Sequence, residues 1–141
     1  MFRTSLLALT IASLAPAAAT VSGSGTVTFG SSVEHITVNA TGTSGRATFQ
    51  DKAAGGNVNG QIAINCVQIV GNTATLSGLV THSNKKSMIG QEGVFRIVDN
   101  GGKKSRSDMA SLINFHEPGT STDCRAGEFD VAPVKGDFRI Q

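Results

Sequence analysis

The sequence predicts an all-β fold, a single antiparallel β-barrel or sandwich of about eight short strands. Three observations carry this. Apolar residues recur at every second position in short runs, the period of a half-buried strand. The 17 glycines are spread along the chain, as turns and bulges require, rather than gathered into a linker. No segment reads convincingly as an amphipathic helix.

The elements follow in order. Thr26-Val27-Thr28-Phe29 alternates polar and apolar residues, and Glu34 to Ala40 does so again with Ile36, Val38 and Ala40 on one face. Arg46-Ala47-Thr48-Phe49 is a third strand, and Asp51 to Asn57, with Gly55-Gly56, reads as a turn. Val58, Gly60, Ile62, Ile64 and Cys66 share one face of a longer strand, after which Val67 and Ile69 fall on the other parity. A β-bulge near Cys66 keeps both sets inside. Gly71-Asn72 signals a tight turn, and Ala74, Leu76, Gly78 and Val80 form the next inward row. Gly93 to Val98 is another strand, closed by Asp99-Asn100-Gly101-Gly102 with hairpin chemistry.

Met109 to Phe115 is read as a strand with Met109, Ile113 and Phe115 on one face. A helix over Asp108 to Phe115 is the alternative, since apolar residues are dense on both parities there. Pro118 to Ala126 is a loop carrying Cys124, and Phe138 and Ile140 belong to a last strand. Short connections favour an up-and-down meander whose last strand pairs back near the first, removing exposed edges.

Residues 1–19 are expected to be an export signal and residues 20–141 a single secreted domain. Arg3 supplies a charge, Leu6 to Leu14 an apolar run, Pro16 a break, and Ala17-Ala18-Ala19 the small residues of a cleavage site. The run is shorter than the roughly 20 residues a membrane span needs. No cysteine follows the expected cleavage point after Ala19, which argues against a lipoprotein anchor. The mature chain is therefore expected to have no membrane span and to be secreted or extracellular, or periplasmic in a two-membrane bacterium.

Twelve basic and ten acidic residues give a formal charge of +2, too small for a dedicated nucleic-acid binder. The absence of Trp and Tyr disfavours sites that stack sugars, bases or quaternary amines. Cys66 and Cys124 are the only cysteines, and in an exported chain they are expected to form a disulfide. Free thiols for redox or metal chemistry are the alternative, without a C-x-x-C spacing to support them.

Candidate chemistry is sparse. His82 follows Ala74, Leu76, Gly78 and Val80 on the inward parity, which places it at a barrel mouth. His116 and Glu117 end another strand. If His82 and His116 met, with Glu117 or Asp123 nearby, they would suit zinc or acid–base work; these three residues, His82, His116 and Glu117, form the candidate ligand site. His35 lies opposite the apolar face of its strand and is expected to be exposed. Asp99 and Asp108 bracket the glycine hairpin, either as calcium ligands or, more simply, as acceptors for turn backbone. Lys103, Lys104 and Arg106, with Lys85 and Lys86, form an anion contact or a solvated loop end. Neither a Gly-x-Ser-x-Gly elbow nor a phosphate loop occurs. Asn39-Ala40-Thr41 matches a glycosylation sequon. No cofactor is expected.

Three segments carry a resemblance: Gly45-Arg46-Ala47-Thr48-Phe49, Cys66 through Gly78, and Phe95-Arg96-Ile97-Val98-Asp99-Asn100-Gly101. The pattern resembles small exported β-rich bacterial proteins of unknown function, found alone or as modules of larger surface proteins. The resemblance implies the fold and the export and no catalytic residues; the basic Lys103-Lys104-Ser105-Arg106 departs from it.

The leading expectation is a non-enzymatic structural or interaction module at the cell surface or in the medium, with a macromolecular partner. The alternatives are a barrel that binds a small apolar ligand among Phe29, Phe49, Ile62, Leu76, Phe95 and Phe138, and a barrel enzyme using the His82, His116 and Glu117 groups.

Overall fold

Alternating residues along the chain become nine strands: β1 (Thr20–Phe29), β2 (Ser32–Thr41), β3 (Ser44–Ala53), β4 (Gly56–Val70), β5 (Thr73–Ser83), β6 (Glu92–Val98), β7 (Met109–Ala110), β8 (Asn114–His116) and β9 (Ala132–Ile140). The computed structural model describes residues 17–53, 56–102, 106–117, 124 and 129–141. The expected export signal lies outside the described residues except for Ala17 to Ala19, as do Lys103, Lys104 and Asp123. One 3-10 turn, Lys86–Met88, interrupts the strands.

Strands β1 to β6 pair antiparallel in chain order, β6 pairs with β7, β7 with β9, and β9 with β1. Eight strands thus close a barrel, and β8 is an additional strand paired with β6 alone. The outcome is the barrel rather than the sandwich, and the last strand does return to the first. The closure extends past the ladder: Thr20 N–H donates to the Gln141 carbonyl at 2.8 Å, and Gln141 N–H to the Thr20 carbonyl at 3.0 Å.

Inward residues fill the barrel. Ile36, Ile62, Leu76, Phe95, Ile97 and Phe138 are each 0% exposed and belong to one contiguous cluster, the usual condition of an eight-stranded barrel interior. Gly93 leaves room for it, because a Cβ there would come within 2.9 Å of Ile62 Cδ1 and 3.1 Å of Ile113 Cγ2.

Two bulges set the faces of β4 and β5. The register moves from Ile64↔Gly78 to Cys66↔Ser77, leaving Asn65 as the extra residue. This is the bulge expected near Cys66, and it turns Val67 and Ile69 inward against the core. The second lies between Gln61↔His82 and Ile62↔Val80, with Thr81 as the extra residue.

The Cys66–Cys124 disulfide forms, with Cα atoms 5.9 Å apart across 58 residues of chain. Cys66 faces outward beside Ser77. The bond lays Cys124 on the outer wall, and Phe129 sits there too, its ring centroid 5.3 Å from the Arg96 guanidinium. The outward residues Thr75, Ser77 and Val94 on β5 and β6 are buried as well.

The segment from Met109 to His116 is extended, as two strands joined by a link. Ala110 pairs with Ile97, and Phe115 with Gly93, both inward. Met109 instead pairs with Val98 on the outer face, so the expectation that it shared a face with Phe115 is corrected: the link at 111–113 changes parity.

Candidate functional site

The three histidines are dispersed by the register. His35 is exposed on the outer face of β2, its Nδ1 2.9 Å from Thr26 Oγ1 on β1. His82 lies on β5 opposite Gln61, with Nδ1 3.1 Å from Thr81 Oγ1. Parity counted along the sequence placed His82 inward; the bulge at Thr81 reverses this, because Gln61 neighbours the inward Ile62 and cross-strand partners share a face. His82 is accordingly exposed on the outer wall. His116 lies on β8 opposite Glu92 of β6, and Glu117 follows it. Among the described residues no group of three or more His, Cys, Asp or Glu is arranged to hold a metal ion.

Asp99 and Asp108 serve the backbone. Asp99 Oδ1 accepts from Gly101 N–H at 2.8 Å, the turn bond expected from sequence, and its Oδ2 accepts from Ile140 N–H at 2.9 Å. Asp108 is 3% exposed; Oδ1 accepts from Asn100 N–H at 2.8 Å and Oδ2 from Phe138 N–H at 2.7 Å. All four carboxylate oxygens are thus engaged by N–H donors. Beside them a polar cleft of about 530 Å³ runs along β9, with Arg106, Asp137 and Arg139 at its edge.

His82 borders a different cleft, of about 540 Å³, on the outer wall of β3, β4 and β5. The volume falls within the range of small-molecule sites. Phe49 and Gly60 also border it from the inner row, where the missing side chain of Gly60 makes room for the Phe49 ring; a Cβ there would stand 2.7 Å from Phe49 Cζ. Gln50, Asn59 and Gln61 line it with His82, and exposed Ile89 supplies an apolar edge.

These side chains belong to longer rows set by the register. Ser24, Thr37, Thr48, Gln61 and His82 are successive partners across β1 to β5. Thr26, His35, Gln50 and Asn59 form the neighbouring row across β1 to β4. Within β1 to β5 neither row contains Lys, Arg, Asp or Glu; on β9 they continue as the exposed Asp137 and Lys135. Sequence reading passed over Gln50, Asn59 and Gln61 because single outward polar residues look like ordinary solvated positions. The signal was their shared parity on successive strands, which becomes visible only when the strands are laid side by side.

No known protein family, curated protein or solved structure matches the chain. Among the described residues, no helix is long and apolar enough to cross a membrane.

Proposed function

We infer that the chain is an exported, non-enzymatic interaction module, and that its contact face is the outer wall of β1 to β5. The observation that carries this reading is the pair of uncharged hydrogen-bonding rows, continuous across the strands and ending in the cleft at His82. Such a face suits a macromolecular partner that offers neutral donors and acceptors. Contacts of this kind owe little to charge and change little with salt.

The apolar-ligand alternative is less favoured by the packing. Of the residues expected to line a cavity, Phe49, Ile62, Leu76, Phe95 and Phe138 are core residues, and Phe29 packs against that core. The enzyme alternative draws no support from the His82, His116 and Glu117 set, since among the described residues no group of three or more His, Cys, Asp or Glu is arranged to hold a metal ion.

The test is rescue of a deletion strain of the parent cell, with native mass spectrometry of the purified protein. The triple variant His35→Gln, His82→Gln, His116→Gln keeps the rows neutral and should rescue. Thr48→Arg places a charge in the centre of a row and should fail to rescue while remaining folded. Failure of the histidine variant, or a persistent extra mass of ligand size on the native protein, would overturn the reading in favour of an enzyme or a carrier.

A further inference from the structure

Glu34 stands on the inner face of β2 with Ile36, Val38 and Ala40, and is 1% exposed. Its partner on β3 is Asp51, so two carboxyl groups lie side by side on the inner wall, at the spacing of about 5 Å between Cβ atoms usual for opposed residues. Its partner on β1 is Val27. From the link between β7 and β8, Ile113 N–H donates to Glu34 Oε1 at 2.8 Å. Among the described residues that face Glu34 from these elements, Asp51 is the titratable one; His35 and Lys52, the chain neighbours of the pair, are exposed on the outer face.

Asp51 Oδ1 is buried and receives no hydrogen bond. An orphaned carboxylate oxygen beside a second carboxylate is doubly unfavourable, through lost solvation and like-charge repulsion. One proton removes both penalties. A neutral Glu34 keeps Oε1 for Ile113 and turns an O–H toward the oxygen that Asp51 leaves unpaired.

We propose that Glu34 holds a proton inside the barrel, directed at the unpaired oxygen of Asp51, and that this buried proton makes the stability of the barrel pH-sensitive. Burial pushes the Glu34 carboxyl up from 4.5 to about 8, the charge of Asp51 adds to the rise, and the Ile113 N–H opposes it. The folded chain therefore holds a proton that the unfolded chain has released over most of that interval. The stabilisation is complete below pH 4.5 and is lost as pH rises through about 8.

Three readings on the full chain test this: carbon-13 NMR titration of the Glu34 carboxyl, denaturant unfolding from pH 5 to 9, and amide exchange at Ile113. The Glu34 midpoint should lie far above the ordinary carboxylate range. The unfolding constant should rise by up to about tenfold per pH unit between roughly pH 5 and 8, one proton's worth of linkage. Because ionised Glu34 accepts the Ile113 N–H more strongly than the neutral acid does, protection of the Ile113 amide should fall by no more than the loss of global stability and the intrinsic rise in exchange rate require. Asp51→Asn should lower the Glu34 midpoint, since the Asp51 charge adds to its rise, and Glu34→Gln should flatten the stability profile. An ordinary midpoint in the wild-type chain overturns the proposal. So does a midpoint that Asp51→Asn leaves unchanged, or a pH slope that survives Glu34→Gln.

Discussion

The wall from β1 to β5 and the seam from β6 to β9 close the same barrel by different means. On the wall the backbone does the joining. β1 and β2 pair over Thr20–Phe29 and Ser32–Thr41 without interruption, and need no side chain to complete the ladder. At the seam β7 offers each neighbour only two residues. The N–H groups of β9 beyond Pro133 would face a gap, and buried donors do not stay unpaired. Two side chains replace the missing ladder, the Asp108 carboxylate taking Phe138 N–H and the Asp99 carboxylate taking Ile140 N–H, while the Asp108 backbone carbonyl takes Val134 N–H. The lesson is that Asp99 and Asp108 stand where strand pairing at the seam stops.

The comparison can be broken by substitution. The largest effect is expected from the disulfide that straps the outside of β4: replacing Cys66 and Cys124 with Ala should cost about 4 kcal/mol in the chain-entropy account, read as a lowered denaturation midpoint. Next is Asp108→Ala, which orphans two donors, one of them on the fully buried Phe138. A loss of about 3 kcal/mol is expected, with amide exchange at Phe138 accelerated more than at Val38 on the wall. Asp99→Ala should cost about 1 kcal/mol, since this carboxylate is partly solvated and its orphaned donors can find water. Smallest is Thr37→Ala on the exposed wall, expected within about 0.5 kcal/mol of wild type. A Thr37 effect as large as that of Asp108 would remove the distinction between wall and seam.

Much of the wall was legible in the sequence, because alternation, glycine turns and a parity slip are local signals. The slip from Cys66 to Val67 announced its bulge, since apolar residues changed sides there. The bulge at Thr81 gave no such notice: the residues after Val80 are polar on both parities, so His82 was assigned to the wrong face. The disulfide was readable because only two cysteines exist. The seam was readable only in part. Asp99 bonding Gly101 is a local turn contact, while its bond to Ile140 joins residues far apart in the chain. Glu34 visibly shares the parity of Ile36 and Val38, but its reasons for being inside, Ile113 and Asp51, come from elements that only the closed fold brings to it. The neutral rows of the wall stayed hidden for the same reason, being a property of registers rather than of runs.

The reciprocal hydrogen bonds between Thr20 and Gln141 have a topological consequence. With the two positions already bonded to each other, the barrel is nearly a circle of chain, and its point of opening is a matter of genetics more than of architecture. A peptide linker from Gln141 back to Thr20, with a new opening at the exposed Gly71-Asn72 turn, would preserve every strand pairing described above. Such a permuted chain would synthesise the seam strands before β1 to β4 instead of after them, so the order in which the circle is completed could be rewritten without altering the circle itself.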